Sequence, residues 1–254
     1  MSLIEAIILG IVQGLTEFIP VSSSGHLVIL QNLFKDFNQP GVLFDSLLHL
    51  GTLTAVLYYF RLRLYEILTN KRLLLLIVIA SVPTGIIGFV FKESFEKMFS
   101  NVRLVGAGLI VTGIVLFFSD RIKSGAKSSS KTTFIDALII GVAQGIAIIP
   151  GISRSGATIV SGIYRKLDKQ FAMEFSFLLS IPAITGAVIL QLRHVAKNGA
   201  GSIELLPYIC GFCAAAIVGY LTIRLVLNFL LQQKLYIFSI YLWLVGSIVL
   251  IFGR

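Results

Sequence analysis

The block at residues 4–25, IEAIILGIVQGLTEFIPVSSSG, returns as residues 135–156, IDALIIGVAQGIAIIPGISRSG. Each copy is an apolar run that stops at a proline followed by hydroxyl residues and glycine, which break a helix. A chain that carries this block twice is constrained to two units built alike. Gly10, Gln13, Gly14, Ser22, Ser24 and Gly25 align with Gly141, Gln144, Gly145, Ser153, Ser155 and Gly156. The copies part where chemistry would be placed: Glu17 aligns with Ile148, Ser23 with Arg154 and His26 with Ala157. One copy brings an acid and an imidazole, the other a guanidinium. The pattern predicts one pseudo-symmetric polar site with specialised halves.

The medium follows from composition. Charged residues make up 13% of the chain and hydrophobic residues 56%, against about 25% charge in soluble domains. Mean hydropathy is +0.93, so the expected fold class is an all-α integral membrane protein. The net charge of +9 sits in short loops between apolar runs. It reads as topology and contact with an anionic bilayer, and nucleic acid is not an expected partner. No charged region with a small-residue cleavage site precedes the first apolar segment, so no removable signal peptide is expected. Cys210 and Cys213 form a CGFC string inside PYICGFCAAAIVGYL. Without a βαβ context, this spacing reads as two small apolar residues and not as a redox pair.

A bilayer-spanning helix takes about 20 apolar residues. Six segments approach this, at 44–60, 73–91, 103–119, 171–192, 206–227 and 235–252. The runs after each break, 25–34 and 156–164, are too short to cross. Each repeat therefore reads as a re-entrant pair of half-helices, 2–34 or 133–164, followed by three spans. Three is odd, so the unit at 133–254 lies upside down relative to the unit at 1–120, an inverted-topology repeat. The loops at 61–72, 120–131 and 164–170 carry Arg61, Arg63, Lys71, Arg72, Arg121, Lys123, Lys127, Lys131, Arg165, Lys166 and Lys169. This topology puts all three on one side, which the positive-inside rule makes cytoplasmic. The loops 92–102 and 193–205 and both termini fall opposite. Residues 121–132 are expected to be a flexible cytoplasmic linker.

Gln13 and Glu17, four apart, share a helix face. An ionisable side chain in an apolar run costs a few kcal/mol, which makes Glu17 a functional candidate. The break that follows, VSSSGH, adds Ser22, Ser23, Ser24 and His26. In the second copy, PGISRSGAT places Arg154 at the start of a half-helix, where free backbone N–H groups and the dipole favour an anion. Ser153, Ser155, Gly156 and Thr158 supply further donors, and the planar guanidinium suits phosphate. Gln13 and Gln144 are secondary candidates. Asp45 and His49 share a face and could line the cavity, although capping explains Asp45 as well. Glu5 and Asp136, in first helical turns, read as structural. Glu174 reads as a local ion-pair partner, and His194 as an exposed loop residue.

The stretches QGLTEFIPVSSSGH, FDSLLHLGT and PGISRSGAT resemble the bacterial undecaprenyl-diphosphate phosphatase family, and the resemblance covers essentially the whole chain. It implies removal of the terminal phosphate from undecaprenyl diphosphate, recycling of the lipid carrier for peptidoglycan synthesis, and bacitracin resistance. It places the family's functional residues on Glu17, Ser22, Ser23, His26, Ser153 and Arg154. The first motif position, often Glu in the family, is Gln13 here, and an amide cannot take a proton. The resemblance also implies a bacterial plasma membrane location with the site facing the extracytoplasmic side.

The residues themselves predict positioning and charge neutralisation by Arg154 and the amides of residues 153–156. A nucleophile (His26, a serine or water) attacks phosphorus, and His26 with Glu17 is the expected central pair. Diphosphates usually arrive with a metal, so a weakly held Mg²⁺ or Ca²⁺ at Glu17 is the expected cofactor. Expected partners are a polyprenyl diphosphate, the bilayer and, as an open option, a second copy in a homodimer. The competing reading is a secondary transporter or flippase for a phosphate-bearing lipid or anion, because broken helices in inverted repeats are carrier architecture.

Overall fold

The computed structural model describes residues 1–34, 37, 43–123, 125–198, 204–232 and 235–253. The named elements are helices: α1 (Leu3–Thr16), α2 (Ser23–Leu33), α3 (Leu43–Tyr59), α4 (Arg61–Thr69), α5 (Lys71–Val90), α6 (Lys92–Phe99), α7 (Val102–Ser119), α8 (Phe134–Ile146), α9 (Arg154–Tyr164), α10 (Lys169–Asn198), α11 (Leu205–Gln232) and α12 (Tyr236–Phe252). Stretches within α5, α7, α10 and α11 are long and apolar enough to cross a membrane. Helices α3 and α12 have 17 residues each. The outward faces of α5 and α12 expose Val82, Ile86 and Phe89, and Leu244, Ile248 and Ile251, respectively. Apolar surface of that extent suits lipid and not water. This is an all-α, multi-pass membrane protein.

The repeated block folds alike in both places. The hydroxyl of Ser2 caps α1 and that of Thr133 caps α8, each in a box closed by an acid three residues on, Glu5 or Asp136. The repeated glycines let these helices lie close on a neighbour. A Cβ on Gly10 would strike the Gly211 carbonyl of α11, and one on Gly141 the Ala80 carbonyl of α5. So α1 packs on α11 and α8 on α5, each against the second span of the other unit, while α7 packs on α12. Helix α7 also touches both α2 and α9, and brings the two broken segments together. Phe18 packs edge-on to Phe177, ring centres 5.5 Å apart, in the largest apolar core.

Two expected loops contain helices, α4 and α6, and α10 extends through residues 193–198. The side chain of His194 lies outside the described residues. The 121–132 segment, read as a flexible linker, is docked (Ser124 lies outside the described residues). The Gly125 and Lys127 amides donate to the Leu167 and Lys166 carbonyls, and Asp168 N donates to Lys127 O. Buried Asp136 accepts from Lys127 Nζ and Arg165 Nε at 2.8 Å each. Backbone bonds and a shared carboxylate override the local propensity of a serine-rich tract. Cys210 and Cys213 are free thiols on α11.

Candidate active site

Both breaks end in a half-helix whose first residue points at one carboxylate. Ser23 begins α2 and Arg154 begins α9, and the repeat makes them equivalents. Ser23 Oγ donates to Glu17 Oε2 at 2.6 Å, and Arg154 Nη2 donates to Glu17 Oε1 at 2.5 Å. Glu17 itself lies at the C-terminal cap of α1 with its side chain 2% exposed. The two halves of the chain thus meet at a single acid.

The caps that create this geometry match. Ser22 Oγ accepts from Gly25 N at 3.4 Å, and Ser153 Oγ from Gly156 N at 3.1 Å. Each cap meets a second serine, Ser24 or Ser155. The breaks are also stitched to each other: Ser22 Oγ reaches the Ile152 carbonyl at 3.5 Å, and Ser155 Oγ reaches that of Ile19 at 3.1 Å. The sharp bend is borne differently. In the first break Ser22 holds φ at 67°, a left-handed conformation that costs a non-glycine residue about 1–2 kcal/mol. In the second, Gly151 takes φ of +86° without that cost.

A cavity of about 210 Å³ opens at this point. Glu17, Ser22, Ser23, Ser24, Ser153, Arg154 and Ser155 line it, joined by Ser46, His49, Phe99 and apolar residues of α10. The amides of Ser23, Ser24, Arg154 and Ser155, in the first turns of two half-helices, have no hydrogen-bond partner among the described residues. Arg154 Nη1 is buried and also unpartnered. Four free N–H groups, two helix dipole ends and one open guanidinium nitrogen are an arrangement that can hold an anion.

Several expected residues are elsewhere. The expected His26–Glu17 pair is not made: His26 Nε2 meets Tyr241 Oη of α12 at 2.7 Å, and Nδ1 lies 2.8 Å from the Ser22 carbonyl. The imidazole beside Glu17 is that of His49, whose Nδ1 is 3.2 Å from Oε2. Ser153 N is occupied by Thr112 Oγ1 of α7, and Gly156 N by Ser153, so only two of the four amides at 153–156 remain for an anion. Thr158 bonds Ser176 at 2.6 Å and lies outside the cavity lining. Gln13 donates to Glu17 at 2.9 Å, whereas Gln144 donates to Thr84 of α5 at 3.0 Å and has a packing role. Thr112, Phe99 and the α10 wall were missed, since nothing in an isolated apolar span marks which face meets a distant break. The His49 pairing had a partial signal, an imidazole four residues after Asp45 at the start of a span.

Comparison with known proteins adds the chemical context. The model of a family described as bacitracin resistance protein BacA matches residues 6–248. An undecaprenyl-diphosphatase of Carboxydothermus hydrogenoformans is 47% identical, covering 99% of this chain and 97% of that protein. Proteins of the same name from Alkaliphilus metalliredigens and Syntrophotalea carbinolica are 42% and 45% identical, with coverage of at least 97% on both sides.

Proposed function

The chain belongs to the BacA family of bacitracin resistance proteins, and from that premise we propose that it hydrolyses undecaprenyl diphosphate with Ser23 as nucleophile, Glu17 as its base and Arg154 as phosphate anchor. The products are undecaprenyl phosphate and inorganic phosphate, which returns the lipid carrier to cell-wall synthesis and relieves the action of bacitracin. The observation that carries the residue assignment is the convergence of Ser23 and Arg154 on the two oxygens of Glu17.

The Glu17 carboxylate engages the Arg154 guanidinium as a phosphate would. An arriving terminal phosphate takes Arg154 Nη1 and the free amides of Ser23, Ser24, Arg154 and Ser155, donors already oriented before charge develops. Ser23 Oγ attacks phosphorus, its proton passes to Glu17 Oε2, and the bridging P–O bond breaks towards the lipid monophosphate. Water then cleaves the phosphoserine. Glu17, once it has released the first proton to solvent, takes one from that water and returns it to Ser23 as inorganic phosphate leaves. The cavity accommodates a head group; the polyprenyl tail stays in lipid.

The residues do not suit a protein-held divalent cation. Arg154 engages Glu17 Oε1, while Ser23 and Gln13 donate to Oε2. Among the described residues no cluster of three His, Cys, Asp or Glu side chains is suited to a metal. Mg²⁺ or Ca²⁺ would come as a counter-ion of the diphosphate, and no step above passes through it.

We place the two units in opposite orientations, each half-helix pair entering the membrane from its own side and meeting the other near mid-depth. The cavity wall supports an extracytoplasmic opening. It takes Phe99 from α6 and Ala183, Ile184, Ala187 and Val188 from α10, which lead towards the weakly charged loops 92–102 and 193–205. None of its lining comes from the basic loops, which the positive-inside rule holds in the cytoplasm of a bacterial plasma membrane. A carrier needs an anion site but no hydroxyl hydrogen-bonded to a buried carboxylate.

The test is phosphate release from undecaprenyl diphosphate by purified wild type, Ser23→Ala and Arg154→Ala. Release by the wild type and loss of at least about 10³-fold in both variants is expected. Turnover by Ser23→Ala near the wild-type rate would remove Ser23 as nucleophile.

A further inference from the structure

The proton that Ser23 gives up has to leave Glu17, and the structure restricts where it can go. Among the described residues, four side chains touch that carboxylate: Ser23, Gln13, Arg154 and His49. Ser23 is the source. A guanidinium stays protonated, and a primary amide does not accept a proton at neutral pH. Of these four side chains, only the imidazole can take it. Burial points the same way, because the side chain of Glu17 is 2% exposed and that of His49 is 26% exposed, at the cavity wall. We propose that His49 is the proton relay of this site, taking the proton from Glu17 and passing it to water in the cavity. The inference rests on the assignment of Ser23 and Glu17 as nucleophile and base.

The hydrogen bonds prepare His49 for this. Gln13 Nε2 lies 2.9 Å from Glu17 Oε2, 2.8 Å from His49 Nδ1 and 3.3 Å from Thr52 Oγ1, so its two hydrogens are shared among three neighbours. In the tautomer that accepts from Gln13 at Nδ1, the neutral ring carries its proton on Nε2. During attack the Ser23 Oγ–P bond forms as the bridging P–O bond breaks. The proton moves from Oγ to Oε2 and on to Nδ1, while Nε2–H is released to water. Once Nδ1 is protonated, its N–H faces Glu17 Oε2, 3.2 Å away, and the Gln13 amide keeps its bonds to Oε2 and Thr52 Oγ1. The charged groups facing the ring are Glu17 from α1, Arg154 from α9 and Asp45 from its own helix, and α10 presents only apolar side chains to the same cavity.

The relay is tested by chemical rescue. Phosphate release is measured for wild type, His49→Ala, His49→Gln and Ser23→Ala in detergent, with and without added imidazole, with the thermal midpoint of each variant as the folding control. His49→Ala should lose roughly 10²-fold in kcat with little change in KM, and imidazole should restore much of the loss. His49→Gln, which keeps a polar side chain but cannot carry a proton, should be as slow as His49→Ala. Ser23→Ala should stay inactive in both conditions. Near-wild-type turnover by His49→Gln, or a folded His49→Ala that imidazole fails to revive, would overturn the relay. Activity in Ser23→Ala would instead overturn the nucleophile assignment on which it rests.

Discussion

The two copies of the repeated block use one backbone solution for two purposes. In both, a serine caps the half-helix after the break and a glycine accepts close packing before it. What differs is the load at equivalent positions. Position 23 is a hydroxyl and position 154 a guanidinium, yet both reach Glu17. Gln13 faces the acid and an imidazole, while Gln144 only ties α8 to α5. Glu5 closes a half-exposed cap, while its equivalent Asp136 is buried and gathers Lys127 and Arg165. On the function proposed above, the first copy is the reactive half and the second the anion-holding half. The lesson is that repeat symmetry fixes where side chains converge, and divergence at a few positions decides what they do there.

Substitutions at equivalent positions can break this comparison. The largest effects belong to Ser23→Ala and Arg154→Ala, and Arg154→Lys should also lose most of its activity, because a point charge lacks the planar fork. Wild-type-like phosphate release by Arg154→Lys would reduce the guanidinium to a simple counter-charge. Next come the two histidines. His49→Ala should slow turnover more than His26→Ala, whose ring serves the α2–α12 contact through Tyr241. The reverse order in the same assay would restore His26 to the centre. The glutamines should then separate by observable. Gln13→Leu should lower kcat, whereas Gln144→Leu should leave kcat nearly unchanged and destabilise by about 1 kcal/mol through loss of its bond to Thr84 Oγ1, which keeps its own bond to the Gly141 carbonyl. Among the acids, Asp136→Asn should cost about 1–3 kcal/mol, and Glu5→Gln within about 0.5 kcal/mol, as thermal midpoints would report. The smallest effect is that of Cys210→Ala with Cys213→Ala, which should leave activity intact. A loss there would revive a redox reading.

Much of this was legible in the sequence because it is local. Proline, glycine and serine after an apolar run mark a break wherever they stand, and aligning the two breaks points to Glu17, Ser23 and Arg154. The misplaced residue shows the limit of that reasoning. His26 is near Glu17 in sequence, but the hydroxyl of Tyr241, far along the chain on α12, holds its ring elsewhere. His49 comes from α3, which packs beside α1. Its approach to Glu17 depends on helix rotation that no local pattern encodes. Thr112 is hidden in the same way inside VTGIVLFF, an apolar face like any other until it meets Gly151 and Ser153. The linker was misjudged for the opposite reason: its composition favours disorder, but the Lys166–Asp168 backbone and Asp136 provide it with partners.

The most direct measurement is a single-turnover reaction with undecaprenyl diphosphate labelled in its terminal phosphate, quenched in parallel in acid, which preserves phosphoserine, and in alkali, which preserves phosphohistidine, and followed by peptide mass spectrometry. The account predicts transient label on Ser23 in the wild type and none on any peptide in Glu17→Gln or Arg154→Ala. Label appearing only as free phosphate at every time point, or on His26 or His49 instead of Ser23, would contradict it.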